Sequence, residues 1–515
     1  MKNMRKIASV LLALVMVFAL AAPVFAAETY SITINNTAPD HVYEAYQIFK
    51  GDLLVTGEGE NIVKTLSNVQ WGSSVTNQTG DATAIIEKMD TGYTGEDKIT
   101  VDALLDMITL GEEVATSGSQ SNGKYVIEVE EAGYYLVKDV YGTLNGKDDT
   151  YTEYLIKVVG PVEAAPKGNV PQVEKKVMDF NDTTGEVSGW QDSADHDIGD
   201  SVPFQLTATL ANNVSSYSTY KVVFHDTLSE GLTYNNDAKV TFNGNDVTNK
   251  FTITCKNGQL TISCDNVKEF GATNDSVIVV EYTATLNDDA VIGSAGNPNE
   301  VYLEYSNNPN WDADGDGKPD EPGTPGDETP EEPTGKTPED EVIVFTYKTI
   351  VNKVDENNNA LAGATFELYK KTYIEDAEPE WVLVDKMVLA ENQTTFSWTG
   401  LDDGEYMLHE SVTPDGYNTV ADIYFTITAT HDEEAAEPKL LTLTVDNTNF
   451  TVDSVTGEAG PEYSGVISTD VINKSGVELP ETGGMGTTLF YAFGAIMVLG
   501  AAVLLVTKKR MSIAE

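Results

Sequence analysis

The feature that most constrains the fold is the recurrence of short segments in which apolar and polar residues alternate. Residues 201–210 (SVPFQLTATL) and Val277–Leu286 are examples, and turn-forming residues separate such segments along most of the chain. Strict alternation places the apolar side chains on one face of a strand. The sequence therefore predicts an all-β protein made of sandwiches, in which two antiparallel sheets bury their apolar faces against each other.

Breaks in this pattern divide the 515-residue chain into three folded parts, as its length also suggests. The predicted domains are a first one at 27–165, a middle sandwich at 166–348 and a C-terminal sandwich at 349–476. The first domain adds helical spacing at 82–89 and 101–110 to its strands. An acidic, proline-rich loop at 310–341 is too polar to fold alone and interrupts the middle sandwich, before one more predicted strand at 342–347.

The N-terminus has the pattern of a secretory signal peptide. Lys2, Arg5 and Lys6 precede an apolar segment at 7–22, and residues 24–26 form a small-residue cleavage site. Residues 1–26 are therefore predicted to be removed on export. The mature protein is expected to be secreted.

The C-terminal segment, 477–515, combines an apolar run with a basic tail. Residues 489–506 are long enough, at about 1.5 Å rise per residue in a helix, to cross most of the hydrocarbon core of a bilayer. Lys508, Lys509 and Arg510 follow and are expected to stay on the cytoplasmic side. The run at 489–506 is therefore predicted to be a transmembrane segment.

A pentapeptide precedes this run and consists of Leu479, Pro480, Glu481, Thr482 and Gly483. Pro480 keeps it out of a regular helix or central strand, so it is expected to be extended and accessible. Together with the apolar run and the basic tail, it resembles the cell-wall sorting signal of Gram-positive surface proteins. That resemblance implies cleavage between Thr482 and Gly483 by a sortase, which transfers the Thr482 acyl group to an amine. The alternative is a plain membrane anchor behind a proline-containing linker.

Charge and cysteine content exclude several classes of protein. The formal net charge of −51 repels nucleic acid and is compatible with calcium. Two cysteines do not make a disulfide scaffold. Cys255 and Cys264 flank the hairpin signal Asn257-Gly258, and in that register Cys255 faces Leu260, so a disulfide would need a different register.

An acidic stretch in the 310–341 loop matches the first half of a calcium-binding loop. Asp312, Asp314 and Asp316 have the spacing of such a loop, but Gly323 stands where its bidentate acid would be. Asp320 is the substitute ligand that the sequence offers. Calcium is therefore a possible ligand, and a solvated acidic loop is the alternative.

The C-terminal sandwich carries several motifs, at 351–355 (VNKVD), 361–369 (LAGATFELY), 404–410 (GEYMLHE) and 471–474 (VINK). They resemble the B-type repeat of collagen adhesins, the C-terminal domain of SpaA-type Gram-positive pilins. The resemblance implies a spontaneous isopeptide bond between Lys353 on the first strand and Asn473 on the last. It assigns the promoting carboxyl group to Glu410. A surface Lys–Glu pair and a turn asparagine form the alternative.

The chemistry of such a bond can be argued from the residue types. An ammonium group cannot attack an amide, but a neutral amine can, and burial in apolar surroundings lowers the pKa of a lysine. A neighbouring carboxyl group can polarise the amide carbonyl and relay protons while ammonia leaves. The fold holds the reacting groups together and so supplies a high effective concentration.

The middle sandwich resembles the isopeptide-forming middle domain of the same pilins, through 173–177 (VEKKV), 198–200 (IGD), 225–234 (HDTLSEGLTY) and 299–305 (NEVYLEY). The corresponding trio is Lys175, Asp226 and Asn299. Strand alternation favours Lys175 over Lys176 and leaves Asn307 as a rival of Asn299. The first domain shows no equivalent trio, and we expect no cross-link there.

A pilus also needs an amine that attacks the acyl-enzyme of the next subunit. In these pilins it is a lysine in a short Tyr-Pro-Lys-Asn-like motif between the first two domains. Residues 165–169 (APKGN) occupy that place and match it only in Pro166 and Lys167. Lys167 is the candidate polymerisation lysine, and Lys157 is a weaker one.

These observations predict the backbone subunit of a sortase-assembled pilus, covalently anchored to a Gram-positive cell wall and supporting adhesion. The expected fold is a row of immunoglobulin-like sandwiches of the collagen-adhesin A and B types. Expected partners are a pilus-type and a housekeeping sortase, other copies of the chain, minor pilins and peptidoglycan. A monomeric wall-anchored adhesin or a minor pilin is the nearest alternative. No catalytic motif indicates an enzyme, and no cofactor is required.

Overall fold

The structure is a computed structural model that describes residues 30–57, 62–90, 93–165, 170–310, 333–375, 377–457 and 460–476. Strands make up 54% of it and helices 5%, which confirms the predicted all-β class. The strands form three units in chain order, each with its own buried apolar residues. We call them unit one, sandwich two and sandwich three.

Unit one contains two short helices and ten of the described strands. The strands are β1 (Tyr30–Asn35), β2 (Tyr43–Thr56), β3 (Val63–Trp71), β4 (Val75–Gln78), β5 (Ile108–Leu110), β6 (Ala115–Thr116), β7 (Lys124–Val129), β8 (Gly133–Asp139), β9 (Glu153–Val158) and β10 (Val162–Ala164). The helices are α1 (Ala82–Met89) and α2 (Val101–Leu105). One sheet has the order β3-β2-β8-β9, with β6 beside β2, and a second has the order β10-β1-β7.

The helix expected at 101–110 is only half as long as its spacing indicated. It ends at Leu105, and Ile108–Leu110 pairs with β4 instead. Strand pairing with Val75–Gln78 gives Ile108 and Thr109 backbone partners, and both residues are β-branched and fit a pleated strand well. The helix at 82–89 forms as predicted, because the Asp81 side chain accepts a hydrogen bond from the backbone of Ala84 and caps it.

Sandwich two packs two seven-stranded sheets face to face. The strands are β11 (Gln172–Phe180), β12 (Val187–Gln191), β13 (Ser193–Asp195), β14 (Ser201–Thr209), β15 (Val222–Leu228), β16 (Leu232–Tyr234), β17 (Lys239–Phe242), β18 (Asn245–Asp246), β19 (Thr252–Lys256), β20 (Gln259–Cys264), β21 (Val277–Leu286), β22 (Asn297–Ser306), β23 (Thr334–Lys336) and β24 (Asp340–Phe345). One sheet runs β12-β11-β14-β21-β17-β18 with β16 beside β21, and the other runs β13-β24-β22-β15-β20-β19 with β23 beside β22. Inward residues of both sheets form a single core.

The loop expected at 310–341 is shorter than predicted at its C-terminal end. Thr334–Lys336 pairs with the end of β22, and Asp340 and Glu341 already belong to β24. Gly335 makes the first pairing possible, because a Cβ atom there would lie 2.6 Å from the ring of Tyr305. The strand predicted at 342–347 is the remainder of β24, which ends at Phe345.

Sandwich three follows after a single residue, Thr346. Its strands are β25 (Tyr347–Asp355), β26 (Thr365–Thr372), β27 (Glu380–Val388), β28 (Thr395–Leu401), β29 (Gly404–Val412), β30 (Ile423–His431), β31 (Leu440–Val445), β32 (Phe450–Gly457) and β33 (Gly460–Asn473). The sheets have the orders β28-β25-β33-β32 and β27-β26-β29-β30-β31. The first and last strands, β25 and β33, are parallel neighbours.

The predicted hairpin around Asn257 and Gly258 is present. Both residues have positive φ, 51° and 77°, as its tight two-residue turn requires. Cys255 faces Leu260 in the observed register, as predicted, and both cysteines are free.

Several predicted segments lie outside the described residues. They are the signal peptide at 1–26, the linker with Pro166 and Lys167, the acidic stretch with Asp312, Asp314, Asp316 and Asp320, and the C-terminal segment with Leu479–Gly483 and 489–506. Within the described ranges, no helix is both long enough and apolar enough to cross a membrane.

Candidate functional site

The candidate site of sandwich two lies between its two sheets. Lys175 points inward from β11 of one sheet, and Asp226 on β15 and Asn299 on β22 point inward from the other. All three side chains are buried, with at most 1% of the residue exposed. Antiparallel pairing aligns Leu228 with Asn299 and so brings Asp226 and Asn299 to neighbouring positions on the same face.

The three side chains meet at the hydroxyl group of Tyr282. Lys175 Nζ contacts Asp226 Oδ2 and also donates to the Tyr282 hydroxyl oxygen at 3.2 Å. The Tyr282 hydroxyl lies 3.0 Å from both oxygens of Asp226, and Asn299 Nδ2 donates to it at 2.7 Å. The Asn299 carbonyl oxygen has no hydrogen-bond partner among the described residues. Amine, carboxyl group and carboxamide are therefore neighbours in the buried core between the two sheets.

Burial shifts the proton equilibria of this site. Burial lowers the pKa of Lys175 even though the Asp226 carboxylate beside it acts in the opposite direction. Burial also raises the pKa of Asp226, against the effect of Lys175. Both shifts favour the neutral pair, an amine and a carboxylic acid, over the ion pair. A neutral amine beside a carboxylic acid and a carboxamide is the protonation state that amide transfer needs.

Tyr282 was not identified from the sequence, although a signal for it existed. It stands in the inward-facing row of β21, where Ile278, Val280, Ala284 and Leu286 are its apolar companions. A tyrosine hydroxyl in such a row needs a polar partner, because an unpaired buried hydroxyl is costly. The partners lie on β11, β15 and β22, and only the packing of the two sheets brings those strands together.

The two rival residues lie elsewhere. Lys176 points out of β11 toward the carboxylates of Asp192 and Glu434, at 2.8 and 3.2 Å. Asn307 is buried but belongs to the contact with unit one, where its Nδ2 donates to the carbonyl oxygens of Leu144 and Asp149. Neither residue contacts Asp226.

The candidate site of sandwich three has a different arrangement. Lys353 and Asn473 lie on the parallel neighbours β25 and β33, and Glu410 faces them from β29 of the opposite sheet. All three are buried, with exposures of 0% for Lys353 and Asn473 and 3% for Glu410. The two carboxylate oxygens of Glu410 accept from Asn473 Nδ2 at 2.9 and 3.1 Å.

The amine of Lys353 binds backbone carbonyl groups near the C-terminal end of β33, where Asn473 lies. Its Nζ donates to the carbonyl oxygen of Val471 at 2.9 Å and to that of Val354 at 3.2 Å. Burial lowers its pKa to about 8, and the nearby Glu410 opposes the shift. The Asn473 carbonyl oxygen has no partner among the described residues. About a tenth of Lys353 is therefore a neutral amine at pH 7, and about half is neutral near pH 8.

Unit one holds a buried ion cluster instead of such a trio. His41 Nδ1 lies 2.7 Å from Asp139 Oδ1, and its Nε2 lies 2.9 Å from Asp149 Oδ2. Burial alone would lower the pKa of His41, but the hydrogen bonds to the two aspartates raise it to about 9. Lys157, the weaker polymerisation candidate, lies on β9 with its amine 6.0 Å from the centre of the Tyr134 ring.

Three family models match the chain. That of the Gram-positive pilin backbone subunit 2, Cna-B-like domain, matches residues 198–309, and that of the SpaA prealbumin-like fold domain matches residues 348–439. The model of the LPXTG cell wall anchor motif matches residues 472–512. These matches include Asp226, Asn299, Lys353, Glu410 and Asn473, whereas Lys175 precedes them.

The chain is also similar to proteins of known sequence or structure. The trypsin-resistant surface T6 protein of Streptococcus pyogenes serotype M6 is 26% identical over 398 residues, which are 67% of this chain and 70% of that protein. The solved T6 backbone pilin of that serotype superposes with a TM-score of 0.52 at 19% identity, over 88% of this chain and 99% of the other. The major pilin SpaD of Corynebacterium diphtheriae gives a TM-score of 0.47 at 15% identity, over 87% and 98%. The superposition on the T6 structure shows a shared fold.

Proposed function

Because this chain is a Gram-positive backbone pilin subunit whose LPXTG cell wall anchor makes it a sortase substrate, we propose that two internal isopeptide bonds reinforce it. One joins Lys175 to Asn299 and the other joins Lys353 to Asn473. The subunit is a structural protein of the cell surface and not an enzyme. Its mechanical task is to carry tension along a fibre.

The observation that carries this proposal is the meeting of Lys175, Asp226 and Asn299 around the Tyr282 hydroxyl in the buried core. The neutral Lys175 amine attacks Cγ of Asn299, and the Asp226 carboxyl group donates a hydrogen bond to the carbonyl oxygen as negative charge develops there. A new bond forms between Nζ and Cγ, and the bond between Cγ and Nδ2 breaks. Asp226 relays a proton from Nζ to Nδ2, so that the nitrogen leaves as ammonia.

The two bonds would reinforce the sandwiches in different ways. The bond in sandwich two connects β11 of one sheet to β22 of the other and so resists separation of the sheets. The bond in sandwich three connects the neighbouring strands β25 and β33, the first and last of that unit, and prevents them from unzipping under tension. In that unit Glu410, already hydrogen-bonded to Asn473, takes the part of Asp226.

Intact mass spectrometry of the ectodomain tests both bonds. Each bond lowers the mass by about 17 Da, the mass of one ammonia molecule, so the wild type should be lighter than its sequence by twice that amount. Lys175→Gln should abolish one loss and its neighbour Lys176→Gln neither. Glu410→Ala should abolish the other loss, while Glu405→Ala on the same strand serves as control. A folded wild type of unmodified mass would contradict the proposal.

Assembly is proposed to join the C-terminal segment of one subunit to Lys167, between unit one and sandwich two, of the next subunit. A pilus-type sortase would cleave after Thr482, while 489–506 holds the precursor in the membrane, and pass the acyl group to Lys167 of the next subunit. A housekeeping sortase would attach the finished fibre, with any minor pilins, to peptidoglycan. The LPXTG anchor match at 472–512 and the pilin matches support processing by a sortase and polymerisation with other subunits.

A further inference from the structure

Sandwiches two and three meet at a junction rich in buried acids. The aspartates come from both sides, with Asp179, Asp182, Asp195 and Asp197 from sandwich two and Asp402 and Asp403 from sandwich three. The basic side chains among them are Lys370 and His431 of sandwich three and His196 of sandwich two. Carboxylates therefore outnumber the cationic groups at this junction.

Three of these carboxylates accept all the hydrogen bonds that the ammonium group of Lys370 can donate. Its Nζ lies 2.6 Å from Asp182 Oδ2, 2.7 Å from Asp197 Oδ2 and 3.1 Å from Asp402 Oδ2. An ammonium group has three donors, so none remains for another acid. Lys370 thus leaves the second oxygen of Asp402 without a partner, and it does not reach Asp195 or Asp403.

Three carboxyl groups remain close together beside Lys370. Each of Asp195, Asp402 and Asp403 offers an oxygen, and these oxygens all lie within 4.8 Å of one another. Asp195 is 3% exposed and Asp402 1% exposed. Asp195 Oδ2 and Asp402 Oδ1 have no hydrogen-bond partner among the described residues. Two buried acids therefore each leave one oxygen unpaired in the same small volume.

Tyr347 supplies an independent indication at the same place. Its side chain is fully buried, and its hydroxyl oxygen also has no hydrogen-bond partner among the described residues. It interacts with the carboxyl group of Asp195, so the hydroxyl lies beside that group. Tyr347 thus adds a further buried oxygen beside these carboxyl groups.

We propose that Asp195, Asp402 and Asp403 bind one calcium ion at the junction of sandwiches two and three. Only oxygen donors are available, which favours a hard divalent cation. Calcium accepts irregular sets of oxygens at about 2.3–2.6 Å, so oxygens on opposite sides of the ion can be nearly 5 Å apart, whereas magnesium requires a tighter octahedron. His431 is not a ligand, because its Nδ1 already contacts Ser193 Oγ at 2.7 Å and its Nε2 faces Asp195 Oδ1 at 3.7 Å.

The ion would fasten two parts of the rod. Asp195 ends β13 in sandwich two, and Asp402 and Asp403 form the turn between β28 and β29 in sandwich three. A shared ion would restrict bending at the single-residue connection, Thr346. This role is separate from the isopeptide bonds, since neither bond crosses the junction.

Calcium titration of the ectodomain by calorimetry tests the site. The acidic stretch of the 310–341 loop is first removed as a competitor by Asp312→Asn, Asp314→Asn and Asp316→Asn. In that background we expect one calcium ion per chain, magnesium binding at least tenfold weaker, and a higher unfolding temperature with calcium than with EDTA. Absence of calcium binding, or equal binding of magnesium, would overturn the proposal.

Paired substitutions then locate the ion. Asp402→Asn with Asp403→Asn should weaken calcium binding at least tenfold and remove the calcium-dependent rise in unfolding temperature. Asp415→Asn, in an exposed turn of the same sandwich, should change neither. Asp195→Asn should weaken binding from the opposite side of the junction, which guards against a folding defect confined to the β28–β29 turn. Calcium binding that survives both the Asp195 and the paired substitutions would place the ion elsewhere and contradict the assignment.

Discussion

At the scale of single residues, the protonation state of a buried lysine depends on its partners. Lys175 and Lys353 are both fully buried lysines, and burial lowers the pKa of each. Lys370 is almost as deeply buried. Burial lowers its pKa, but Tyr406 and the carboxylates of Asp402, Asp197 and Asp182 together raise the pKa by more. The first two are suited to act as nucleophiles, whereas Lys370 remains an ammonium group that holds two sandwiches together.

Tyr282→Phe tests the hydroxyl group at the centre of the sandwich-two site. The change removes the oxygen that accepts from Lys175 and Asn299 and leaves the Asn299 amide without that partner. We expect slow or incomplete cross-linking, seen as a fraction of ectodomain heavier by about 17 Da. Loss of this buried hydrogen bond should also destabilise sandwich two by about 1–3 kcal/mol.

The control for this experiment is Tyr302→Phe. Tyr302 lies on β22 and stacks on His225 at 4.6 Å, on the face of the sheet opposite to Val301 and Leu303. Its loss should leave the mass unchanged. Complete cross-linking of Tyr282→Phe at the wild-type rate would show that the hydroxyl is not needed.

At the scale of elements, local pattern predicted some parts of the chain and tertiary pairing decided others. The Asn257-Gly258 turn forms because both residues accept positive φ, a property that depends on no other part of the chain. The segment 101–110 follows helical spacing, but its second half becomes β5, since β4 offers strand pairing. Likewise β23 arises inside a stretch that looked like loop, because the edge of β22 was free to pair with it.

The interaction of His41 with Asp139 on β8 and with Asp149 in the following loop should stabilise unit one in a pH-dependent way. His41, between Asp139 and Asp149, has a pKa of about 9 in the fold against about 6.5 in an unfolded chain. Its stabilising effect is therefore complete below pH 6.5 and is lost as the pH rises through 9, with a magnitude on the order of 3 kcal/mol. Urea unfolding followed by pulse proteolysis at pH 6 and pH 9.5, with cleavage sites assigned to unit one, measures this loss.

His41→Gln should remove this pH dependence and destabilise unit one at pH 6. His409→Gln provides a matched control, because His409 pairs with Asp422 on an exposed surface of sandwich three. That change should not affect unit one. An unchanged pH profile in His41→Gln would assign the effect to other groups.

At the scale of the whole molecule, the chain is a row of units joined by short connections. Asn307 of sandwich two contacts the carbonyls of Leu144 and Asp149 in unit one, and Lys370 of sandwich three contacts Asp182 and Asp197 of sandwich two. Both contacts are buried and polar, and each occurs where two units meet. Tension applied to the ends of the row would pass through these contacts.

If Lys167 is the polymerisation lysine, its replacement should prevent the subunits from being joined. Cells with Lys167→Arg should lose the high-molecular-weight ladder in wall extracts, because arginine keeps the positive charge but its guanidinium is always protonated and is a poor nucleophile. The matched variant Lys157→Arg should retain the ladder. Immunoblots of wall extracts check both. A ladder that persists in Lys167→Arg and vanishes in Lys157→Arg would transfer the role to Lys157.

The sequence by itself determined the strand class and the hairpin at Asn257-Gly258, because alternation and turn chemistry are local properties. It also placed Lys175 and Asn299 on inward faces, since the side-chain period of a strand is two residues. Tertiary structure alone decided that Tyr282 stands between these three groups and that acids from two sandwiches meet at Asp195 and Asp402. The physical reason is that period two specifies the face of a side chain but not its neighbours, which depend on how distant strands pair and how sheets pack.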